Sequence, residues 1–522
     1  MVGHEKINIA TMADVHELGN GSKENSNDSS DTSEGHTDSR GTTHRLERYI
    51  NLAAVANFGI LVLASWESFA VTFQFALANG GPASMFYGSI LAGFGCCATG
   101  LSLAELAAID PTVGAQYRWS ANLAPFGKRF WGLLQGWITT AAWCFACGGP
   151  SSILANMITS LTIFNNDSYV PQRWHTSLIM IATIIVPFIC NIWFRKVLNL
   201  FEISGGVLHI VLFLVFIVVL TVFGQRNEPE FVFKTLIYDQ SGWSNKGVCW
   251  GLGLLSVSFP VVGFDSVLHM CKQGDEVKKV RTRVPRSIVL TCVVNSVMQF
   301  IFVVILLFYI GPLTEDITTA PLPLIYVVYR ATGSVPATNA MIILVMVISF
   351  FCLFNIFASV SRLVWIFACD NGLPFSPFFA YVHPKLKLPL NALSLLFVIV
   401  TCMSLIYIAS ATAFNAFISL QSFALYFSYF FPVFFMLLRR LRGPPPPYGP
   451  FQLGAFGIPI NIFALCYLIF VLLWMPFPQF LPVVKDNMNY AGPIFGGVLV
   501  LAIAHWFLSA RKTFKMPVKQ YE

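Results

Sequence analysis

Charge is what this chain has least of. Asp, Glu, Lys and Arg make up 11% of its 522 residues, while 56% are hydrophobic. Soluble domains carry about 25% charged residues, and the shortage removes that class. Residues 1–48 lack Phe, Trp and Tyr and are rich in Ser, Asn, Asp, Glu, Gly and Thr. A segment so poor in apolar surface cannot offset its ordering entropy and is expected to be a disordered tail. It also lacks the apolar core of a signal peptide, so the first membrane helix is expected to serve as the insertion signal. No nucleophile and base pairing, phosphate loop or metal-ligand cluster stands out, which argues against an enzyme and calls for no cofactor. The 12 cysteines are scattered through or beside apolar runs and read as small buried hydrophobes. Cys144 and Cys147 have the spacing of a redox or metal pair, but no second pair or His cluster accompanies them, so no metal site is expected.

What the chain does have is a series of apolar runs long enough to cross a bilayer, recurring from about residue 53 to about residue 509. Stretches such as 198–223 and 287–310 are apolar on every face, unlike the alternating strands of a β-barrel. The fold class is therefore all-α membrane, with about twelve helices near 53–77, 83–107, 130–157, 176–194, 203–223, 248–270, 287–310, 338–368, 389–408, 413–438, 456–476 and 491–509. A transporter domain thus covers 49–510, between the tail 1–48 and a short tail 511–522. The net charge of +7 is explained by loop topology rather than by nucleic acid. With both tails cytosolic, the external segments keep only Arg173, Arg226, Lys234, Lys246, Arg330 and Lys485, as the positive-inside rule requires. Asn166 begins an Asn-Asp-Ser sequon in an external loop and is a glycosylation candidate, whereas the Asn20 and Asn27 sequons lie in the cytosolic tail.

Two acids stand alone in apolar surroundings. Glu67 is the only charge between Arg48 and Glu105, and Asp265 the only one between Lys246 and Lys272. A carboxylate in hydrocarbon costs at least a few kcal/mol, so such residues face a bundle interior or a wet cavity. Both lie where a continuous helix is awkward. Gly59 precedes the polar cluster Ser65, Trp66, Glu67 and Ser68; Ser258, Pro260 and Gly263 fall close together, and Pro260 lacks the amide proton its helix needs. Helices one and six are an odd number apart and enter the membrane from opposite sides, which makes two inverted repeats at about 53–223 and 248–438, with extra helices at about 456–509. Gly93, Gly95, Gly132 and Gly136 read as helix-packing contacts.

Several motifs then fall in order. Ser102-Leu103-Ala104-Glu105-Leu106 is followed by Pro111-Thr112-Val113-Gly114-Ala115-Gln116-Tyr117; next come Gly263-Phe264-Asp265, Ser361-Arg362 with Asp370-Asn371-Gly372-Leu373-Pro374, and Met488-Asn489-Tyr490. From about residue 50 to the C-terminus this resembles the amino acid-polyamine-organocation superfamily, and more closely its fungal amino acid/choline permease branch. The resemblance implies a five-plus-five inverted repeat of the LeuT kind with two added helices, in a fungal plasma or internal membrane. Members move amino acids, 4-aminobutyrate, choline and related amines, commonly with protons. Cys369 stands where relatives often carry Arg, Ala115 where many have Gly, and the acidic pair Asp275-Glu276 is displaced by a few residues. Phe259-Pro260 is bulkier than the small residues common at the break.

The site reading follows from the breaks. Glu67 would neutralise an ammonium or carry a coupling proton, its plainer role being a capping acid held by the helix dipole; Asp265 has the same two readings. Amides around Leu63, Ala64 and Ser65 would bind a substrate carboxylate, and carbonyls of Phe259, Pro260 and Val261 its amine. Trp66 and Phe264 could instead cage a quaternary amine. His209, near where some proton-coupled relatives carry Lys, suits a relay, although a neutral ring satisfied by a carbonyl is the blander reading. Glu105, Glu202 and Arg362 near helix ends read as gate or anchoring ion pairs. The function expected is a proton-coupled importer of amino acids or related small amines by alternating access, resident in the plasma membrane. The alternatives are a choline or quaternary-amine permease and, against the shortness of the tails, a non-transporting nutrient sensor.

Overall fold

The computed structural model describes residues 52–194, 198–238, 240–270 and 280–515, together with the pairs 36–37 and 43–44. These pairs form a short antiparallel ladder; the rest of the tail 1–48, its sequons, and the acidic pair 275–276 lie outside the described residues. Everything else of note is helical. Eleven helices among the described residues are long and apolar enough to cross a membrane. The remaining expected span, the third, is Lys128–Ala146 followed by Gly148–Asn165. Lys128, Arg129, Gln135, Thr139 and Thr140 make its first half more polar than its neighbours.

Burial separates centre from rim. In the most apolar stretch of the first span 72% of residues are buried, against 33% in the fifth span Leu200–Phe223 and 17% in the last. The inner spans owe this to small residues. Gly95 of the second span, Gly81–Ile109, lies so close to Tyr467 that an added Cβ would sit 2.3 Å from its ring, and Gly136 likewise abuts Phe367. The rim spans instead present Leu214, Val218, Val222 and similar side chains outward, as a hydrocarbon solvent demands.

Whereas the third span passes Cys147 in helical geometry, the first and the sixth are broken outright. The first runs Leu52–Leu63, breaks at Ala64 and resumes as Ser65–Ala70. Ala64 adopts φ 39°, ψ 53°, a left-handed conformation that costs a non-glycine residue roughly 1–2 kcal/mol and persists only where the surroundings impose it. They do so here: the Ser65 amide donates to Asn295 Oδ1 at 3.1 Å and its hydroxyl to the Pro260 carbonyl at 2.6 Å. The sixth runs Lys246–Ser258, tightens into a 3₁₀ turn at Phe259–Val261, turns at Gly263 (φ 105°) and ends in Ser266–His269. Proline supplies the first of these departures and glycine the second.

One element escaped the sequence reading. The connection between spans two and three contains the helix Ala115–Leu123, every residue of which is buried. It lies at the end of the bundle where span seven begins with Arg281, Arg283 and Arg286 and span ten finishes with Arg439, Arg440 and Arg442, called the basic end below. The last helix also continues past its expected stop. Phe514 is fully buried with Tyr117, Leu133 and Phe367, and the Lys515 amide donates to the Asp370 carbonyl, so the start of the expected tail 511–522 is packed.

Candidate functional site

A cavity lies beside the two breaks. Leu63, Ala64, Glu67, Ser68 and Val71 of the first span face it, as do Phe259, Pro260 and Gly263 of the sixth. Trp143 and Pro150 of the third span, Ser349 and Cys352 of the eighth, and Gln421 of the tenth complete the wall. No Lys, Arg or His is among the lining residues.

Glu67 is 1% exposed. Its Oε1 lies 2.6 Å from His209 Nδ1, while Oε2 and His209 Nε2 have no hydrogen-bond partner. The expectation of a histidine satisfied by a carbonyl is thus overturned: its partner is the stranded carboxyl group of span one. A second acceptor without a partner, Gln421 Oε1, also belongs to a wall residue. Glu67 does stand in the first turn of its half-helix, but with no side-chain bond to the cap.

Asp265 is placed differently from the expectation. It does not line the cavity and is fully buried. Gln116 Nε2 donates to its Oδ2 at 2.5 Å, Trp143 Nε1 to the same oxygen at 2.9 Å, and the Tyr429 hydroxyl to Oδ1 at 2.5 Å. His269 Nε2 is 3.3 Å from Oδ2. With its lone pairs so engaged, Asp265 ties together the sixth span, the buried helix, the third span and the tenth. Trp143 has one face of its role in each place, lining the cavity while bonding Asp265 through its indole nitrogen. Its ring edge lies 3.3 Å from where a Cβ on Gly263 would sit.

Other expected contacts are also redirected. Trp66 packs its ring against Phe213, Phe216 and Phe302, and Phe264 stacks on Tyr429 at 4.9 Å, so neither reaches the cavity as a cage. The amides of Ala64 and Ser65 are engaged, by the Ile60 carbonyl and by Asn295, and are not available to a carboxylate. Ser65 and Val261 stand behind the wall: Ser65 bonds Pro260, and the Val261 carbonyl accepts from the Cys96 thiol. Leu63, Ala64, Glu67, Phe259 and Pro260 line the cavity.

The basic end is closed by paired groups. Tyr117 donates to Asp370 Oδ2 at 2.7 Å and Arg118 lies 3.7 Å from it, so the motif after span two meets the motif after span eight. Burial and the neighbouring Asp370 push the Tyr117 phenol well above its ordinary range, so it remains a donor. Glu105 pairs with Arg440 and also accepts from the Leu453 amide, which bears out its anchoring role. Among the described residues Glu202 has no ion pair; it faces the Asn355 carboxamide.

Interrupted helices around a cavity, with buried polar ties at one end, are the arrangement of a membrane transporter. The sequence comparisons agree. Residues 51–500 match the amino acid permease family, and the chain belongs to it. It is 30% identical to a choline transporter of Saccharomyces cerevisiae over 90% of this chain and 83% of that protein. It is 27% identical to an amino-acid permease of Neurospora crassa, over 88% and 85% of the two chains, and 24% identical to one of Arabidopsis thaliana, over 90% and 93%. The protein is a multi-pass membrane permease for a small-molecule solute, and not an enzyme.

Proposed function

We propose that this permease imports small primary amines or zwitterionic amino acids together with a proton, through alternating movement of the broken spans one and six. The observation that carries the reading is the cavity wall. It holds two acceptor oxygens without partners, Glu67 Oε2 and Gln421 Oε1, and no basic side chain. A buried acceptor left unpaired costs about 1–3 kcal/mol, and an ammonium group, with its N–H donors and positive charge, satisfies both oxygens. The Glu67 and His209 pair supplies the coupling: a proton on the imidazole leaves Glu67 a carboxylate whose second oxygen can take the ammonium, so proton and amine are held together. Each positive charge moved inward gains about 2.3 kcal/mol per 100 mV, roughly fifty-fold accumulation.

The orientation expected from the arginines, with the basic end cytosolic, makes the structure a state closed to the cytosol. It leaves Asn166 outside, exposed directly after the third span with its Oδ1 bonded to the Ser168 amide and hydroxyl, and we assign it as a glycan acceptor. Residence in the plasma membrane, and the repeats 53–223 and 248–438, belong to the same proposal.

A choline reading has its own support in the similarity to the yeast choline transporter and in Trp143, whose ring can face a quaternary amine at the cavity. Uptake of radiolabelled alanine and choline in a permease-deficient yeast, each competed with the other, tests the two. Import of choline alone rejects the amino acid reading. Solute binding with no accumulation in vesicles under an imposed pH gradient rejects transport in favour of sensing.

A further inference from the structure

One buried acid has no place in the mechanism so far. Glu202 of the fifth span is 1% exposed, and its Oε2 has no hydrogen-bond partner. It lies on the helix Leu198–Phe223 close to the basic end, two turns before His209. The seven-residue spacing places both side chains on one helix face, roughly 10 Å apart along the axis.

Apolar packing, Leu61 and Phe351 against Gly205 and Trp66 beside His209, is interleaved on that side with a line of polar groups. Between the two residues Gly206 brings the Asn57 carboxamide of the first span against the fifth, with all three of its polar-head atoms within 3.1 Å of an added Cβ. On the eighth span Ser349 and Cys352 line the cavity, and Asn355 follows one turn further in. Asn355 is fully buried, and neither of its polar side-chain atoms has a partner in hydrogen-bond geometry, although it lies against Glu202. The Cys352 thiol donates to the Val62 carbonyl of the first span at 3.2 Å. Among the described residues, then, Glu202 is faced by Asn355 from span eight, and the seam is bounded at the cavity by His209 and Glu67.

We propose that Glu202 is the proton-carrying group that follows His209, and that the polar seam between spans one, five and eight conducts the coupling proton from the cavity to the basic end. The inference rests on the proton-coupled reading above. The Nε2–H bond of the imidazolium breaks, its electron pair stays on the ring nitrogen, and a proton is added to Oε2 of Glu202. The separation is too long for one hydrogen bond, so bridging water beside Asn57 and Asn355 carries the transfer. Loss of the proton to water at the basic end restores the carboxylate. The unpartnered atoms His209 Nε2, Asn355 Nδ2 and Oδ1, and Glu202 Oε2 are the stations this requires.

The test uses the full chain in liposomes enclosing a pH-sensitive dye, with radiolabelled alanine and radiolabelled choline as probes. Wild-type protein accumulates one of them under an imposed pH gradient and acidifies the lumen as it does so. Glu202→Gln is expected to exchange internal for external label as the wild type does, while accumulation falls to the equilibrium ratio and solute-dependent acidification is lost. A Glu202→Gln protein that accumulates and acidifies like the wild type overturns the relay and leaves the proton-coupled reading standing. A wild type that transports without accumulation or acidification overturns both. If Glu202→Gln is inactive in exchange as well, Glu202→Asp decides: slowed acidification with normal exchange supports the relay, and unchanged acidification rejects it.

Discussion

Replacing Glu67 by Gln is the sharpest perturbation of the proposed site, because it keeps shape and hydrogen-bonding capacity while removing the charge. The amide oxygen can still meet His209, at present 2.6 Å from the acid, so the break at Ala64 and the packing around it should survive. What is lost is a charge-assisted contact to the ammonium, worth about 1.5–3 kcal/mol, which raises KM roughly 10- to 150-fold. The proton site is lost with it. Uptake of the transported probe over a concentration series, in cells whose surface expression has been measured, should therefore show a large rise in KM. Accumulation under a pH gradient should disappear in the same variant. Wild-type KM together with wild-type accumulation would refute the reasoning, since both arguments for the role of Glu67 depend on the same carboxylate.

Asp265→Asn should leave protein in the membrane but slow uptake at saturating solute, since the amide cannot accept from Gln116, Trp143 and Tyr429 together; a fall in melting temperature in detergent accompanies it, and unchanged transport and melting contradict the assignment. Trp143→Leu removes both the aromatic wall and a donor to Asp265, so KM for the transported amine should rise; if choline is the solute, loss of a desolvated cation–π contact predicts an effect of about 2 kcal/mol, near thirty-fold. Gly95→Ala drives a methyl into Tyr467 and should cost about 1–3 kcal/mol of stability, read as lower melting temperature and partly restored by Tyr467→Ala. Asn166→Gln should abolish any glycosidase-sensitive mobility shift of the wild-type protein.

The sixth-span break was legible because proline and glycine announce it. The first-span break was legible only as a region: the residue that bends is Ala64, and nothing in an alanine signals a left-handed conformation imposed by Asn295 and Pro260 from elsewhere in the chain. The neighbours of Glu67 were misread for a periodic reason. Beyond the break Glu67, Ser68 and Val71 follow the three-to-four-residue spacing of one helical face and line the cavity, whereas Ser65 and Trp66 turn away from it. That spacing was available from the chain alone. Trp143, Gln421 and Gln116 were not, because their importance arises from contacts across more than a hundred residues of sequence. Asp265 was expected to be an acid of the solute or proton site, but its oxygens are taken by protein donors from distant parts of the chain.

Asp265 gathers donors from distant stretches of the chain, and Trp143 is both one of those donors and the plate that separates solute from them. Losing any one donor leaves that acid with an unmet lone pair, so the third, sixth and tenth spans are expected to shift together around it, separately from the Asp370 and Glu105 ties at the basic end. A carrier whose spans move together there would expose its cavity in one stroke rather than by degrees.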